Sequence, residues 1–250
     1  TLVARTSWTV PSENKAVTPR HRPASTMSSS AKACSWITAM RTGAASALSA
    51  RYLARPESET VGILGCGVQG RTNLEALNCL FPVKRVFAYD RVPGVSERYA
   101  QEIADRFGIE VTAVKNPREA VTGCDMVVTA GPILHTPHAT IKAGWLDAGA
   151  FASLVDYDSF WDGAALQEVD KFCTDDVPQL QYYRSIGYFQ SIPPIHASLG
   201  ELVTGQKPGR QSPEERTIGC NLGLALDDMA TAPIVYRRAV EKGMGTWLAL

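Results

Sequence analysis

Three glycines at fixed spacing are the residues whose types and positions point most directly to chemistry. Gly65, Gly67 and Gly70 form G-x-G-x-x-G within VGILGCGVQGR, after a short apolar run and before a polar segment. In such a strand-to-helix turn, the first glycine permits the tight bend, the second lets a pyrophosphate approach the backbone, and the third allows close helix–strand packing. Backbone N–H groups at the helix start, here at Val68 and Gln69, then bind the phosphates. The pattern predicts a dinucleotide site, the alternative being a glycine turn without a ligand.

An acidic residue downstream of this turn predicts which dinucleotide is bound. Asp90 ends the apolar run VKRVFAYD, 20 residues after Gly70. A carboxylate at this place accepts hydrogen bonds from the ribose hydroxyls and repels a 2′-phosphate, which favours NAD over NADP. Arg91 follows immediately, and a guanidinium turned inward would instead pair with that phosphate. We therefore predict NAD, with NADP as the alternative, and Arg91 as either a cofactor contact or a solvated loop charge.

A third candidate lies at the end of another apolar run, DMVVTA. The carboxyl ends of the strands line the ligand crevice in open parallel sheets. Thr129, together with Ala130, is therefore predicted to lie beside the cofactor. The alternative is that both are strand-end residues without a ligand contact.

Other polar residues are interpreted as structural. His135 and His138 form H-T-P-H, but no carboxylate or thiol cluster joins them, and Pro137 breaks any helical register, so no metal site is predicted. The same interpretation applies to the acidic pairs Asp175–Asp176 and Asp227–Asp228 and to the tyrosines Tyr182, Tyr183 and Tyr188.

The elements that must position these residues alternate between strand and helix. The strands are predicted at TVGILG, VKRVFAYD, IEVTAV, DMVVTA, GAFASLV and KFCTD. Helices are predicted over 69–80, over VSERYAQEIADRFG with Gly108 as its C-cap, and over NPREAVTG with Asn116 as its N-cap. This alternation predicts an α/β fold, a Rossmann-type doubly wound parallel sheet covered on both faces.

The flanking segments differ in composition. Residues 1–36 are rich in Ser, Thr, Pro and basic residues, which predicts an irregular segment, or alternatively a transit-like leader. A helix is predicted from about Ile37, with Leu48, Tyr52 and neighbouring alanines as its apolar face. Near the other end, IHASLGELVTG is predicted as one short helix. The segment that begins RTIGCNLG is predicted as a strand, followed by a long helix from about Leu222 to Lys242.

Composition excludes several function classes. The chain has 250 residues with 25 basic and 25 acidic side chains, so it offers no general attraction for nucleic acid or a membrane surface. No window of about 20 residues is continuously apolar, so no membrane span is predicted. The six cysteines form no C-x-x-C pair, and no signal peptide is visible, which predicts a reducing, cytoplasmic location.

Four segments together resemble the ornithine cyclodeaminase/mu-crystallin family: RTGAASALSARYLA, VGILGCGVQGR, IKAGWLDAGAF and NLGLALDDMATAPIVYRRA. The resemblance runs in order from about Ile37 to the C-terminus. It implies an NAD(P)-binding Rossmann domain, here 57–217. It also implies a smaller domain built from both chain ends, here 37–56 and 218–250, which forms a homodimer and holds a small amino or imino acid substrate.

Two site residues follow from this resemblance. Arg41 matches the family arginine that holds the substrate carboxylate, a role suited to a bidentate guanidinium, the alternative being a surface helix arginine. Asp158, in VDYDSFW, matches the family's catalytic aspartate by its spacing from AGAF. Asp156 takes that role if the register differs by two residues, and a capped turn is the alternative for both.

The sequence also departs from the family pattern. Residues 1–36 lack the usual β-containing segment with its substrate-binding lysine and arginine, since Lys15 and Lys32 lie in no matching motif, so the N-terminal part of the second domain is expected to be incomplete. VDYDSFW also differs from the Asp-Pro-Gly-Lys form of the cyclodeaminases. The predicted function is an NAD(P)-dependent oxidoreductase acting on an amino or imino acid. The alternatives are a cyclodeaminase-like lyase that uses NAD catalytically and a non-catalytic NAD(P)-binding protein.

Overall fold

An eight-stranded parallel sheet forms the centre of the protein. The computed structural model describes residues 29–245, with side chains described from Ala39 onward. The strands are β1 Thr60–Leu64, β2 Arg85–Tyr89, β3 Glu110–Ala113, β4 Met126–Thr129, β5 Phe151–Leu154, β6 Lys171–Thr174, β7 Ile195–Ser198 and β8 Thr217–Cys220. The helices are α1 Ser29–Leu53, α2 Val68–Asn78, α3 Val95–Phe107, α4 Gly163–Leu166, α5 Val177–Ser185, α6 Leu199–Val203 and α7 Ala225–Glu241, with a 3₁₀ helix at Pro117–Ala120.

The strand order places a crevice between β1 and β4. The order is β3-β2-β1-β4-β5-β8-β6-β7, and all neighbours are parallel. From β1 the chain winds outward through β2 to β3 and then returns to β4 on the other side of β1. Ligands bind at such a switch point, outside the carboxyl ends of the strands.

The sheet is covered on both faces. Every residue of β1, β4, β5, β6 and β8 is buried, as expected for a parallel sheet between helical layers. Two apolar clusters form the core, one against each face. The Rossmann-type parallel sheet predicted from the alternation of strands and helices is confirmed. Within the described residues, no helix combines the length and apolar character needed to cross a bilayer.

One prediction for the later part of the chain is wrong, and one predicted boundary coincides with a strand. The first half of IHASLGELVTG is strand β7, and only its second half is a helix. Ser198 ends the strand and caps α6, where its hydroxyl and the Glu201 carboxylate form a reciprocal capping box. The predicted domain boundary between 217 and 218 falls inside β8, which lies between β5 and β6 in the middle of the sheet.

Helix α1 also differs from its prediction. It begins at Ser29 rather than near Ile37, and the part of the predicted irregular segment up to residue 28 lies outside the described residues. Leu48 is 36% exposed, whereas the buried face consists mostly of residues smaller than leucine. These are Ala39, Gly43, Ser46, Ala47, Ser49, Ala50 and Leu53. Small side chains face inward because α1 lies very close to α2, where a Cβ atom at Gly43 would overlap the carbonyl of Thr72.

Candidate active site

The glycine turn joins β1 to α2 at the carboxyl edge of the sheet. Gly65 has a φ of +103°, and a Cβ atom there would lie 2.5 Å from the Ala130 carbonyl oxygen. A Cβ atom at Gly70 would overlap the Gly65 carbonyl. The fold itself therefore requires glycine at both positions. Gly67 is different, because an added Cβ atom would meet nothing within 4 Å. Space above Gly67 is thus open to a ligand.

Helix α2 begins at this open space. Its N-cap residue Gly67 provides no side-chain hydrogen bond to the first turn. The N–H groups at the start of a helix have no acceptor within the helix, and they carry a partial positive charge. Those of Val68 and Gln69 therefore suit the phosphates of a dinucleotide, and their contact with a cofactor stays a prediction.

Asp90 lies against the same turn. It follows β2, and its carboxylate accepts hydrogen bonds from the backbone N–H of Cys66 at 2.9 Å and of Val92 at 2.9 Å. The acid is therefore held beside the phosphate-binding backbone, where a ribose would lie. The neighbouring Arg91 is exposed. Contact of either residue with a cofactor remains a prediction.

Arg71 is a feature of the turn that sequence reasoning missed. Its Nη1 atom donates to the carbonyl oxygens of Cys66 and Gly67, and its Nε and Nη2 atoms donate to the Glu102 carboxylate at 2.9 and 2.7 Å. These hydrogen bonds lower the pKa of Glu102. Arg71 fixes the carbonyl groups of the turn and places a cation close to it. The ion pair joins helices α2 and α3, and no local pattern in the sequence marks it.

Thr129 points toward a buried acid. Its hydroxyl donates to one Asp156 oxygen at 2.6 Å, and the N–H of Gly131 donates to the other at 3.1 Å. Asp156 is fully buried, and burial raises its pKa from 3.8 to about 7. The Thr129 hydroxyl is thus used to hold Asp156, and its contact with a cofactor remains a prediction. Asp156 in turn fixes the backbone that follows β4.

The raised pKa of Asp156 predicts a pH dependence of stability. Below about pH 4 the carboxyl is protonated in both folded and unfolded chains. Between about pH 4 and 7 the unfolded chain ionises while the folded chain stays protonated, so stability falls by up to ~1.4 kcal/mol per pH unit. Above about pH 7 both are ionised and the loss is complete. Urea unfolding of Asp156→Asn should show a smaller decline from pH 4 to 7 than wild type.

Asp105→Asn, on the exposed side of α3, is the control for this prediction, because it removes a carboxyl that is not buried. It should retain the wild-type decline in stability between pH 4 and 7. If Asp156→Asn and Asp105→Asn gave parallel stability curves, the proton linkage assigned to Asp156 would be wrong.

Asp158 differs from Asp156 in having an unpaired oxygen. It is 5% exposed, its Oδ1 atom has no hydrogen-bond partner among the described residues, and burial raises its pKa. Both acids follow β5 and lie close enough to the thiol of Cys220 to raise its pKa, although burial is the larger cause. Asp158 is therefore a buried carboxyl group at the carboxyl edge of the sheet with one oxygen that has no described partner, and its catalytic role stays a prediction.

Arg41 lies in a separate cavity of about 330 Å³ between α1, the segment after β8 and the start of α7. The cavity walls include Arg41, Thr42, Asn221, Gly223, Asp227 and Asp228. The Nη1 atom of Arg41 lies 2.6 Å from Asp228 Oδ1, while its buried Nε atom has no hydrogen-bond partner among the described residues. The side chain is 14% exposed. Asp228 thus orients the guanidinium, and the binding of a substrate carboxylate by Arg41 stays a prediction.

Two polar residues hold the far wall of this cavity in place. The Asn221 amide bonds the hydroxyls of Ser46 and Ser49 on α1, and the Asp175 carboxylate accepts the N–H of Gly223 at 2.8 Å. Asp175 therefore has a structural role, as its sequence context predicted.

The structure does not place Asp158 on the wall of the Arg41 cavity. The carboxylates there belong to Asp227 and Asp228, which sequence reasoning interpreted as a structural pair. The available signal was their position in the first turn of α7, directly after the segment that follows β8. His135 and His138 bond Ile186 and Thr140 respectively. In the described part of the chain, no three His, Cys, Asp or Glu side chains are arranged to hold a metal ion.

Comparison with known proteins gives consistent similarities. A model of the ornithine cyclodeaminase/mu-crystallin family matches residues 26–243. Alanine dehydrogenase from Archaeoglobus fulgidus is 34% identical over 223 residues, which cover 84% of this chain and 66% of that protein. The structure of Thermococcus litoralis Δ1-pyrroline-2-carboxylate reductase with NADH and L-proline has a TM-score of 0.74 at 32% identity, covering 85% of this chain and 68% of that one. An archaeal alanine dehydrogenase dimer with bound NAD has a TM-score of 0.74 at 31% identity, covering 86% and 68%.

These similarities confirm the family resemblance that the four sequence segments carry. The chain spans about two thirds of the length of these relatives, between 66% and 68%. About a third of each relative therefore lies outside the matched region.

Proposed function

Because the chain belongs to the ornithine cyclodeaminase/mu-crystallin family, we propose that it is an NAD(H)-dependent oxidoreductase acting on a small amino or imino acid. One observation carries the proposal beyond family membership. An open glycine turn lies next to a cavity that contains a mostly buried guanidinium with an unpartnered Nε atom. A phosphate-bearing coenzyme and a carboxylate substrate are the ligands that these two features suit. Relatives named alanine dehydrogenase and Δ1-pyrroline-2-carboxylate reductase support the same class.

The residues of the turn fit the cofactor. Gly67 leaves room for the diphosphate, the N–H groups of Val68 and Gln69 face it, and Asp90 binds the ribose hydroxyls. Bound NAD(H) supplies a nicotinamide ring that accepts or donates hydride at C4. The protein's part is to orient this ring against the substrate.

Arg41 and Asp158 act on the substrate in this proposal. Arg41 binds the α-carboxylate through its free Nε side, while Asp228 keeps the guanidinium from rotating. Asp158 does not line the Arg41 cavity, and in this proposal its carboxyl holds or removes the proton of the amine or of an attacking water at the part of the substrate that extends beyond that cavity. Asp158 is preferred to Asp156 because both oxygens of Asp156 already accept hydrogen bonds, whereas one oxygen of Asp158 has no described partner.

A turnover assay tests this proposal. The purified chain is mixed with NADH or NADPH, ammonia or methylamine, and a panel of 2-oxo acids, and absorbance is followed at 340 nm. Consumption of NADH with at least one acid is expected. Release of ammonia from ornithine would favour the lyase alternative. Tight NADH binding without turnover on any substrate would contradict the oxidoreductase and favour the non-catalytic alternative.

Replacement of Asp90 tests the choice of cofactor. Asp90→Ser is expected to weaken NADH binding about tenfold, because two charge-assisted hydrogen bonds to the ribose are lost. NADPH should bind relatively better, because the 2′-phosphate no longer meets a carboxylate. Fluorescence titration with both nucleotides gives the two dissociation constants. A ratio equal to that of wild type would remove Asp90 from the ribose site.

The oligomeric state and location are part of the same proposal. Helix α7 has no buried residue, and its exposed apolar side chains include Leu226, Met229, Ile234, Val235, Tyr236 and Val240. A homodimer would cover this surface, as an archaeal relative of this chain is described as a dimer. Light scattering on the purified chain distinguishes dimer from monomer. Five cysteines with described side chains are free thiols, which suits the cytoplasm.

A further inference from the structure

We propose that Gln69 is a positioning residue that couples cofactor binding at the glycine turn to the shape of the Arg41 cavity. The inference rests on the proposed function, since it assigns the turn to NAD(H) and the cavity to the substrate. It concerns a property that neither site has alone, namely that occupation of one changes the affinity of the other.

The first step is that α1 and α2 form one rigid unit. Gly43 of α1 lies against the backbone of Thr72 so closely that a Cβ atom would overlap its carbonyl. The Thr72 hydroxyl donates to the Ala39 carbonyl at 2.9 Å, although it also lies within reach of carbonyls in its own helix. Both residues are buried. A displacement of the start of α2 is therefore transmitted to α1, since neither helix can shift alone without losing these contacts.

The second step is a side-chain link between the two sites. Gln69 lies in the first turn of α2, where its backbone N–H faces the phosphates. Its side-chain Nε2 atom donates to the Thr42 hydroxyl at 3.4 Å. Asn73, one turn later in α2, fixes Gln69: its Nδ2 atom donates to the Gln69 carbonyl oxygen at 2.8 Å and to Gln69 Oε1 at 3.4 Å. One residue thus reaches the cofactor with its backbone and α1 with its side chain.

The third step is the position of Thr42. It follows Arg41 directly and lines the same cavity. The hydrogen bond from Gln69 therefore ends one residue from the guanidinium that binds the substrate carboxylate. If the first turn of α2 were ordered by a bound cofactor, Gln69 would hold Thr42 in place, and the part of the cavity wall that Thr42 forms would be more ordered before substrate binds. The ordering cost of substrate binding is then lower with cofactor bound than without it.

The experiment measures this coupling directly. The dissociation constant of NADH is determined by fluorescence titration with and without a saturating 2-oxo acid from the assay panel. Ammonia and methylamine are left out, so that no imine forms and no imine is reduced. The ratio of the two constants is the coupling factor. We expect a factor of about five in wild type, the size that one neutral hydrogen bond can transmit. In Gln69→Leu it should fall to about one, with the KM of the substrate raised and kcat little changed.

Two substitutions of Thr42 test whether its hydroxyl, rather than the shape of its side chain, transmits the coupling. Thr42→Ser keeps the hydroxyl and should retain the coupling factor of wild type, whereas Thr42→Val keeps the shape and should lose it. Gln101→Leu, on the exposed face of α3, makes the same chemical change away from both sites and should leave the factor unchanged.

The outcomes distinguish this inference from the proposed function. Absence of NADH binding by the wild-type chain would refute the proposed function and the coupling with it. Only the coupling is refuted if wild type binds NADH and turns over substrate but shows a coupling factor of one. The same conclusion follows if Gln69→Leu and Thr42→Val both retain the coupling factor of wild type. A loss of coupling that Thr42→Ser also shows would likewise refute the role of the hydroxyl.

Discussion

Gly67→Val is expected to abolish NADH binding while leaving the fold intact. The open space above Gly67 means that the added side chain meets no protein atom near its Cβ position, so folding costs little. The same side chain would occupy the path of the diphosphate. We expect a loss of affinity of about 100-fold or more, which corresponds to roughly 3 kcal/mol of overlap and lost phosphate contacts. Calorimetric titration measures the affinity, and thermal unfolding measures the fold.

Gly200→Val provides the control for this experiment. Gly200 is an exposed residue near the start of α6, and the one atom near its Cβ position is the Ser198 hydroxyl oxygen at 3.9 Å. The variant carries the same substitution at another helix start, and it should bind NADH as wild type does. Unfolding of Gly67→Val would contradict the expected tolerance of the fold at this position, and unchanged NADH affinity would contradict the assignment of Gly67 to the diphosphate.

Arg41→Lys is expected to lower kcat/KM about 100-fold, or roughly 2.7 kcal/mol, even though the charge is kept. A lysine presents one ammonium group and cannot hold a planar carboxylate through two parallel N–H donors. It also loses the geometry in which Asp228 holds one side of the group and the substrate uses the other. Steady-state kinetics on the acid that gives the fastest turnover measures the effect, and NADH affinity should stay within about threefold of wild type.

Arg51→Lys, farther along α1, is the matched control, because Arg51 is exposed and lies outside the cavity wall. Its kcat/KM should equal that of wild type. Equal activities of Arg41→Lys and the native chain would show that the guanidinium does not bind the substrate carboxylate.

Much of the cofactor half follows from the sequence, because its signals are local. A glycine turn, the strand before it and the acid that ends the next strand lie within about 30 residues, which is the length of one βαβ unit. The structure places Gly65, Gly67, Gly70 and Asp90 together as that pattern predicts. The sequence pattern treats all three glycines alike. Only the structure shows that an added Cβ atom would overlap other atoms at Gly65 and Gly70 and would meet none at Gly67.

The substrate site was predicted less completely from the sequence, because it depends on contacts between residues that are distant along the chain. Arg41 meets Asp228 from the other end of the chain, and nothing in either local segment predicts that contact. The position of β8 was missed for a similar reason, since a short buried strand does not reveal its neighbours in the sheet. The wrong helix over residues 195–198 has a local cause. Ser198 and Glu201 carry the capping signature that marks the true start of α6, and that signal was available.

The insertion of β8 between β5 and β6 has a consequence for how the chain is made. Strands β5 and β6, which are consecutive in the sequence, are connected in the sheet only through β8, which is synthesised some 40 residues after β6. Until then, the growing chain holds two unsatisfied strand edges in the middle of its sheet, where pairing with another nascent chain competes with correct closure. Such long-range pairing slows folding. The unpaired edges of β5 and β6 therefore need protection from pairing with other chains mainly between the synthesis of residue 174 and that of residue 220.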